Sequence, residues 1–141
     1  MMADFMHGVN MKRMVMAMVA VFFTYWVTSI LIHGVWLEPM YKAAPSLWRT
    51  DADMQQHMLW LILGHLVFAK YFTYIFAKGY EGRGLGEGVR YGFVMGALNA
   101  AGCLIQYAVS PISGQMIASW VGGGIAQGIL CGVVVSLVYK K

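Results

Sequence analysis

Four apolar runs, at residues 14–37, 57–77, 89–109 and 115–139, decide what this chain can become. The hydrocarbon core of a bilayer is crossed by about 20 apolar residues of helix, and each run meets that length. Together they occupy most of the 141 residues and leave only short connections. A Rossmann sheet, a P-loop domain or a catalytic barrel outside the membrane has no room. Composition agrees. The chain is 60% hydrophobic and 11% charged, whereas a soluble domain is about 45–50% apolar and about 25% charged. A globule of this size buries only about two-thirds of its unfolded surface, so much of the apolar excess would face water. The expected fold is all-α, a single transmembrane domain over 1–141 forming a four-helix bundle.

The connections give the topology. The first run comes directly after Lys12-Arg13 and is too long for a signal-peptide core, so it is expected to remain as a helix. The polar residues before Met11 read as a short tail. Thr50-Asp51-Ala52-Asp53 has the chemistry of a helix N-terminus, an N-cap hydroxyl and then acids, so the second helix is expected to start near Asp51 and project beyond the bilayer. Gly79 and Gly82-Arg83-Gly84-Leu85-Gly86 separate the second and third spans. Ser110-Pro111-Ile112-Ser113-Gly114 joins the third and fourth in a tight hairpin. Lys12, Arg13, Lys78, Arg83, Arg90, Lys140 and Lys141 fall on one side, against Lys42 and Arg49 on the other. By the positive-inside rule both termini are expected in the cytoplasm, with the 38–56 loop outside. Trp36, Tyr41 and Trp48 would then mark the outer interface, and Tyr80, Tyr91 and Tyr139 the inner one. The net charge of +4 serves orientation and indicates no nucleic-acid surface.

Small residues recur every fourth position. Gly84, Gly88, Gly92, Gly96 and Ala100 enter the third span, and Gly124, Gly128, Gly132 and Ser136 line the fourth. Such ladders let helix backbones approach closely where lipid supplies no hydrophobic drive. They are expected to zip spans three and four together; the alternative is a glycine face that docks another subunit or a pigment. Asn99, Cys103 and Gln106 continue the third-span stripe, and Gln127 adjoins the fourth. Asn99 and Gln127 fall near mid-membrane and are expected to bond across the hairpin.

Candidate ligands are few. Cys103 lies about 9 Å below the outer end of its span and Cys131 about 24 Å below, too different in depth for a disulfide. Both read as small fillers. His33 and His65, on the first two spans, are the candidates for holding a haem or chlorin, but differ in depth by roughly 7 Å at the helical rise. Met54, His57 and Met58 have a spacing that suits a soft metal. No cofactor or metal is expected. Lys70 lies within the second span, about 10 Å from its inner end, and is expected to snorkel or to meet a carboxylate or lipid phosphate. Asp4, Glu38, Asp51, Asp53, Glu81 and Glu87 all lie outside the apolar runs. A proton-coupled exporter normally needs an acid inside the membrane, so that class loses support. No H-E-x-x-H, G-x-S-x-G or Ser-Lys arrangement supports intramembrane proteolysis.

Tyr25-Trp26 through His33-Gly34, and Lys78-Gly79 through Gly88-Val89-Arg90-Tyr91-Gly92-Phe93, resemble a loose family of small four-span bacterial inner-membrane proteins. The resemblance implies the fold and an inner-membrane location, and supplies no catalytic residues. Two functional classes fit these features. One is a non-catalytic accessory subunit packed on larger integral membrane subunits of a respiratory, photosynthetic or other complex, in contact with membrane lipids. The other is a homo-oligomeric carrier of lipid or apolar solute, with Asn99, Gln106, Gln127 and His65 lining its path.

Overall fold

Every long apolar run becomes a helix. The computed structural model describes residues 8–141, so Asp4 and most of the tail lie outside it. The first span comprises α1 (Met11–Ser29) and a π-helical continuation (Ile30–Trp36). A short α2 (Glu38–Lys42), a 3-10 turn (Pro45–Leu47) and α3 (Asp51–Gln56) build the long loop. Then come α4 (Met58–Lys78), α5 (Leu85–Val109) and α6 (Gly114–Val138). No strand occurs among the described residues. Four helices are long and apolar enough to cross a membrane.

Local chemistry sets the boundaries. Asn10 and Ser113 cap α1 and α6 by accepting the backbone N–H groups of Arg13 and Met116 at 3.1 and 3.2 Å. Thr50 accepts from the Asp53 N–H at 3.3 Å, the cap that its side chain and the acids beside it lead one to expect. The helix that starts there is not continuous with the second span, because His57 leaves helical geometry at φ −102°, ψ 8° and divides α3 from α4. Gly84 is also not a rung of the packing ladder. It stands at φ +66° as the cap of α5, a conformation that favours glycine.

The packing ladder proper runs Gly88, Gly92, Gly96 against Gly132, Gly128, Gly124. A Cβ on Gly128 would come within 2.5 Å of the Gly92 carbonyl oxygen, and one on Gly96 within 2.7 Å of Ile125 Cα. A Cβ on Gly88 or Gly132 would run into the opposite helix's backbone, so only glycine permits this approach. Gly88, Gly92, Gly96, Gly128 and Gly132 thus face one another inside the molecule.

α1 packs on both α4 and α6. At the end carrying the termini, Met14, Ala17 and Val21 of α1 meet Ala69, Phe72 and Phe76 of α4 and Cys131 and Val135 of α6, all buried. Tyr139 closes this terminal end, fully buried, with Phe76 and Tyr80 at edge-on angles. Its hydroxyl accepts the Asn10 N–H at 3.2 Å. Tyr91 edges onto Phe72 and Phe76, and through them α5 meets α4. Glu87 lies in the first turn of α5 and is buried; its two carboxylate oxygens accept the N–H groups of Glu81 and Arg83 at 2.7 and 2.8 Å. It thereby fixes the turn between α4 and α5.

Candidate functional site

At the other end, where the 38–56 loop lies, the helices do not close on one another. A cavity of about 180 Å³ remains between α1, α5 and α6, lined by Tyr25, Ile32, His33, Asn99, Cys103, Trp120, Gly124 and Gln127. No Lys, Arg, Asp or Glu is among these lining residues. The roof is aromatic. Tyr41, on α2, receives the Trp120 indole N–H at 2.8 Å and meets His33 Nδ1 at 2.6 Å. Trp48 stands edge-on to both Tyr41 and Trp120.

The π-helical turn supplies the geometry on α1. The Leu37 N–H donates to the Ile32 carbonyl, five residues back. One residue inserted into a helix rotates the residues beyond it by about 100°, and π turns are frequent at functional sites. Ile32 and Trp36 come to rest on Gly123, where a Cβ would sit 3.3 Å from Ile32 Cγ2. Among the four spans only this one carries such a turn. Residue spacing gives no sign of it.

Hydrogen-bond direction can be assigned from groups with fixed roles. Indole N–H only donates, so the Tyr41 oxygen accepts from Trp120, while the direction of the Tyr41–His33 bond follows the His33 tautomer. Burial pushes the Tyr41 phenol pKa up, against the effect of the Trp120 hydrogen bond, so the proton is retained. In the tautomer in which Tyr41 donates to Nδ1, the His33 proton resides on Nε2.

A second network crosses the bundle just below. The Gln127 amide nitrogen meets three acceptors on α1: the Tyr25 carbonyl at 3.0 Å, Thr28 Oγ1 at 2.7 Å and Ser29 Oγ at 2.9 Å. The Thr28 hydroxyl is itself directed at the Thr24 carbonyl, 2.7 Å away. The Ser29 hydroxyl faces His65 Nε2 at 3.3 Å, and His65 Nδ1 faces the Leu61 carbonyl at 2.7 Å. One direction gives each of these bonds a donor and an acceptor: Gln127 to Ser29, Ser29 to His65, His65 to Leu61. The expected bond between Asn99 and Gln127 is therefore absent, because α1 lies closer to the Gln127 amide nitrogen than the hairpin partner offers. The Gln127 carbonyl oxygen takes no hydrogen bond among the described residues.

The other candidates scatter. His33 and His65 do not form a ligand pair: both nitrogens of His65 are occupied within the protein, and its ring stands edge-on to Tyr25 and Trp26. His57 turns Nδ1 onto the Asp53 carbonyl at 2.8 Å and its carboxylate at 3.3 Å, while Met54 and Met58 are exposed beside it. The Arg49 hydrogen bond holds the Asp53 carboxyl below the usual carboxylate range. Among the described residues, no three His, Cys, Asp or Glu side chains converge as for a metal ion. Lys70 is exposed, with Nζ 5.1 Å from the Tyr71 ring centroid. Gln106 bonds to Ser110 at the end of α5, outside the cavity lining. Cys103 and Cys131 are free. Of the polar residues expected to line a path, the cavity gathers Asn99 and Gln127. Tyr25, Trp120 and the π-helical placement of His33 are its unforeseen features, and Tyr41 bonds to two of the lining residues. Compared with family models, curated proteins and solved structures, the chain matches none.

Proposed function

We propose that this chain is a non-catalytic, membrane-embedded binding protein, oriented with both termini in the cytoplasm of a bacterium and its recess in the outer half of the inner membrane. The occupant is an uncharged amphiphile, held for carriage or presentation. The observation that carries this reading is Asn99. Its amide is exposed, lines the recess and has no hydrogen-bond partner among the described residues, with Nδ2 lying beside Gly124. An amide left unbonded at membrane depth costs several kcal/mol by transfer to hydrocarbon, roughly 4–8 on the alkane scale, and a polar head group in the recess removes that cost. The Lys and Arg asymmetry and the resemblance to four-span inner-membrane proteins support the orientation and location.

The accessory-subunit reading has one observation in its favour. Leu59, Trp60, Leu63, Leu66 and Val67 of α4 are exposed at the loop end, an apolar edge where larger integral subunits would sit. Mass analysis of the particle released in native membrane patches separates the two. A small molecule carried by the wild type and missing from Cys103→Phe, whose ring fills the recess, supports the binding protein. A fixed set of larger subunits with no small molecule replaces it with the accessory reading. Orientation is tested in a cysteine-free chain: single cysteines at Ser46 and Gly86 should label from opposite sides of sealed cells, and labelling of both from outside would refute it.

A further inference from the structure

We infer that the recess is built for a quinone-type ring, a flat uncharged head with a carbonyl at each edge; this rests on the binding reading above and names its ligand class. Four observations converge. No charged residue reaches the lining, so a phosphate or ammonium head would be buried uncompensated. The volume, about 180 Å³, exceeds the engineered cavity of about 150 Å³ that holds benzene, which leaves space for ring substituents. Tyr25 and Trp120 supply aromatic surface for a planar group. Finally, the directed network leaves donors on two different helices. With Tyr41 donating to Nδ1, His33 presents Nε2–H, and Asn99 presents an unbonded amide N–H.

A lone alcohol uses only one of these donors, and an alkylbenzene uses neither. A ring carrying two carbonyl acceptors on opposite edges uses both, one from α1 and one from α5. His33 and Asn99 are exposed, so the recess is open to the surface and an alkyl tail attached to the ring can leave it. Binding is the whole of the proposal; no electron or group transfer is involved.

Cys103 provides the reporter. It is partly exposed in the recess lining, while Cys131 is fully buried and serves as an internal measure of intact folding. The protein in lipid nanodiscs is treated with a membrane-permeant maleimide while a decyl-bearing, fully substituted benzoquinone is titrated in. Full substitution leaves no ring position for thiol addition. Decylbenzene and decanol are the comparison probes. The expected result is saturable protection of Cys103 by the quinone, with a midpoint at least about tenfold below that of decylbenzene, as two hydrogen bonds of about 1 kcal/mol each imply. His33→Phe and Asn99→Leu should each raise the quinone midpoint about fivefold on the same scale, with Cys131 still unlabelled. Equal protection by quinone and decylbenzene, or quinone protection indifferent to both substitutions, overturns the quinone assignment. Protection by decanol alone also overturns it and leaves the binding reading standing. If no probe protects Cys103, the binding reading itself falls.

Discussion

At the terminal end, Val21, Phe72, Val135 and Tyr139 fill the space between the helices, whereas at the loop end about 180 Å³ stays open between α1, α5 and α6. The same helices make both ends, so the difference lies in side chains. On α5 the inward stripe passes from Gly88, Gly92 and Gly96, pressed against α6, to Asn99 and Cys103, which border the recess. On α6 it passes from Val135 and Cys131, inside the core, to Gln127, Gly124 and Trp120. Close packing secures the fold at one end, and at the other directed polar bonds tie α6 to α1 beside the recess. In a membrane the first device rests on van der Waals contact and the second on interhelical hydrogen bonds of about 0.6 kcal/mol each on average. A binding recess is more easily built where the second device operates, because it leaves volume and unpaired donors.

The sharpest way to break this comparison is to move one substitution along the same two helices. Gly92→Leu or Gly128→Leu forces a side chain into the facing backbone and should lower unfolding free energy by about 3 kcal/mol, the upper range for overpacking. Gly102→Leu and Gly122→Leu, where a Cβ meets nothing within 4 Å, should change it by no more than about 0.5 kcal/mol. Reversible unfolding in mixed micelles, monitored by far-UV circular dichroism, measures both pairs. Similar losses at all four positions would mean that the Gly92–Gly128 contact is not what secures the close-packed end.

Gln127 and Asn99 sharpen the loop end itself. Gln127→Leu removes two N–H donors shared among three acceptors on α1 and should cost about 1 kcal/mol in the same assay, taking about 0.6 kcal/mol for each donor. Asn99→Leu removes no bond within the protein and takes away an unbonded amide, so the ligand-free fold should be at least as stable as the wild type while ligand protection of Cys103 weakens. A stability loss at Asn99 equal to that at Gln127 would show that its amide serves the fold.

Much of this architecture is legible from spacing. The length of each apolar run sets the spans, and the fourfold recurrence of Gly88, Gly92 and Gly96 against Gly124, Gly128 and Gly132 sets the hairpin. Periodicity names the face of a helix but not the neighbour it meets. Gln127 shares a hairpin with Asn99, yet its amide nitrogen bonds to Tyr25, Thr28 and Ser29, a choice fixed by how α1 lies over α6. The π turn is hidden for a related reason: residues 30–36 are apolar apart from His33 and Gly34, too few polar positions for hydropathy to report the inserted residue. Glu87 reads as a solvent-side acid because it precedes the apolar run, but the turn it supports wraps over it and buries it.

The smallest expected effect concerns the surface charges that flank each end. Glu81 accepts from Arg90 at 2.8 Å and lies 3.1 Å from Arg83. The Arg90 hydrogen bond, assisted by the charges of Arg90 and Arg83, holds the Glu81 carboxyl below the usual carboxylate range, with partial desolvation opposing. A carboxyl depressed in the folded state stabilises the fold at every pH above its unfolded value and loses that contribution as pH falls through the folded one. Acidification should therefore lower the melting temperature of the wild type, and Glu81→Gln should show a smaller fall over the same interval. The effect is small because the pair is exposed and screened, and because Glu87 holds the 81–83 backbone independently of it. At the loop end Asp53, paired with Arg49 at 2.7 Å, has the same sign. Its turn has no buried acid bonded to the backbone beneath it, so Asp53→Asn should remove at least as much of the acid response as Glu81→Gln. Melting curves of the three proteins at neutral and acidic pH decide this, and a larger share for Glu81 would place the weaker turn at the terminal end instead.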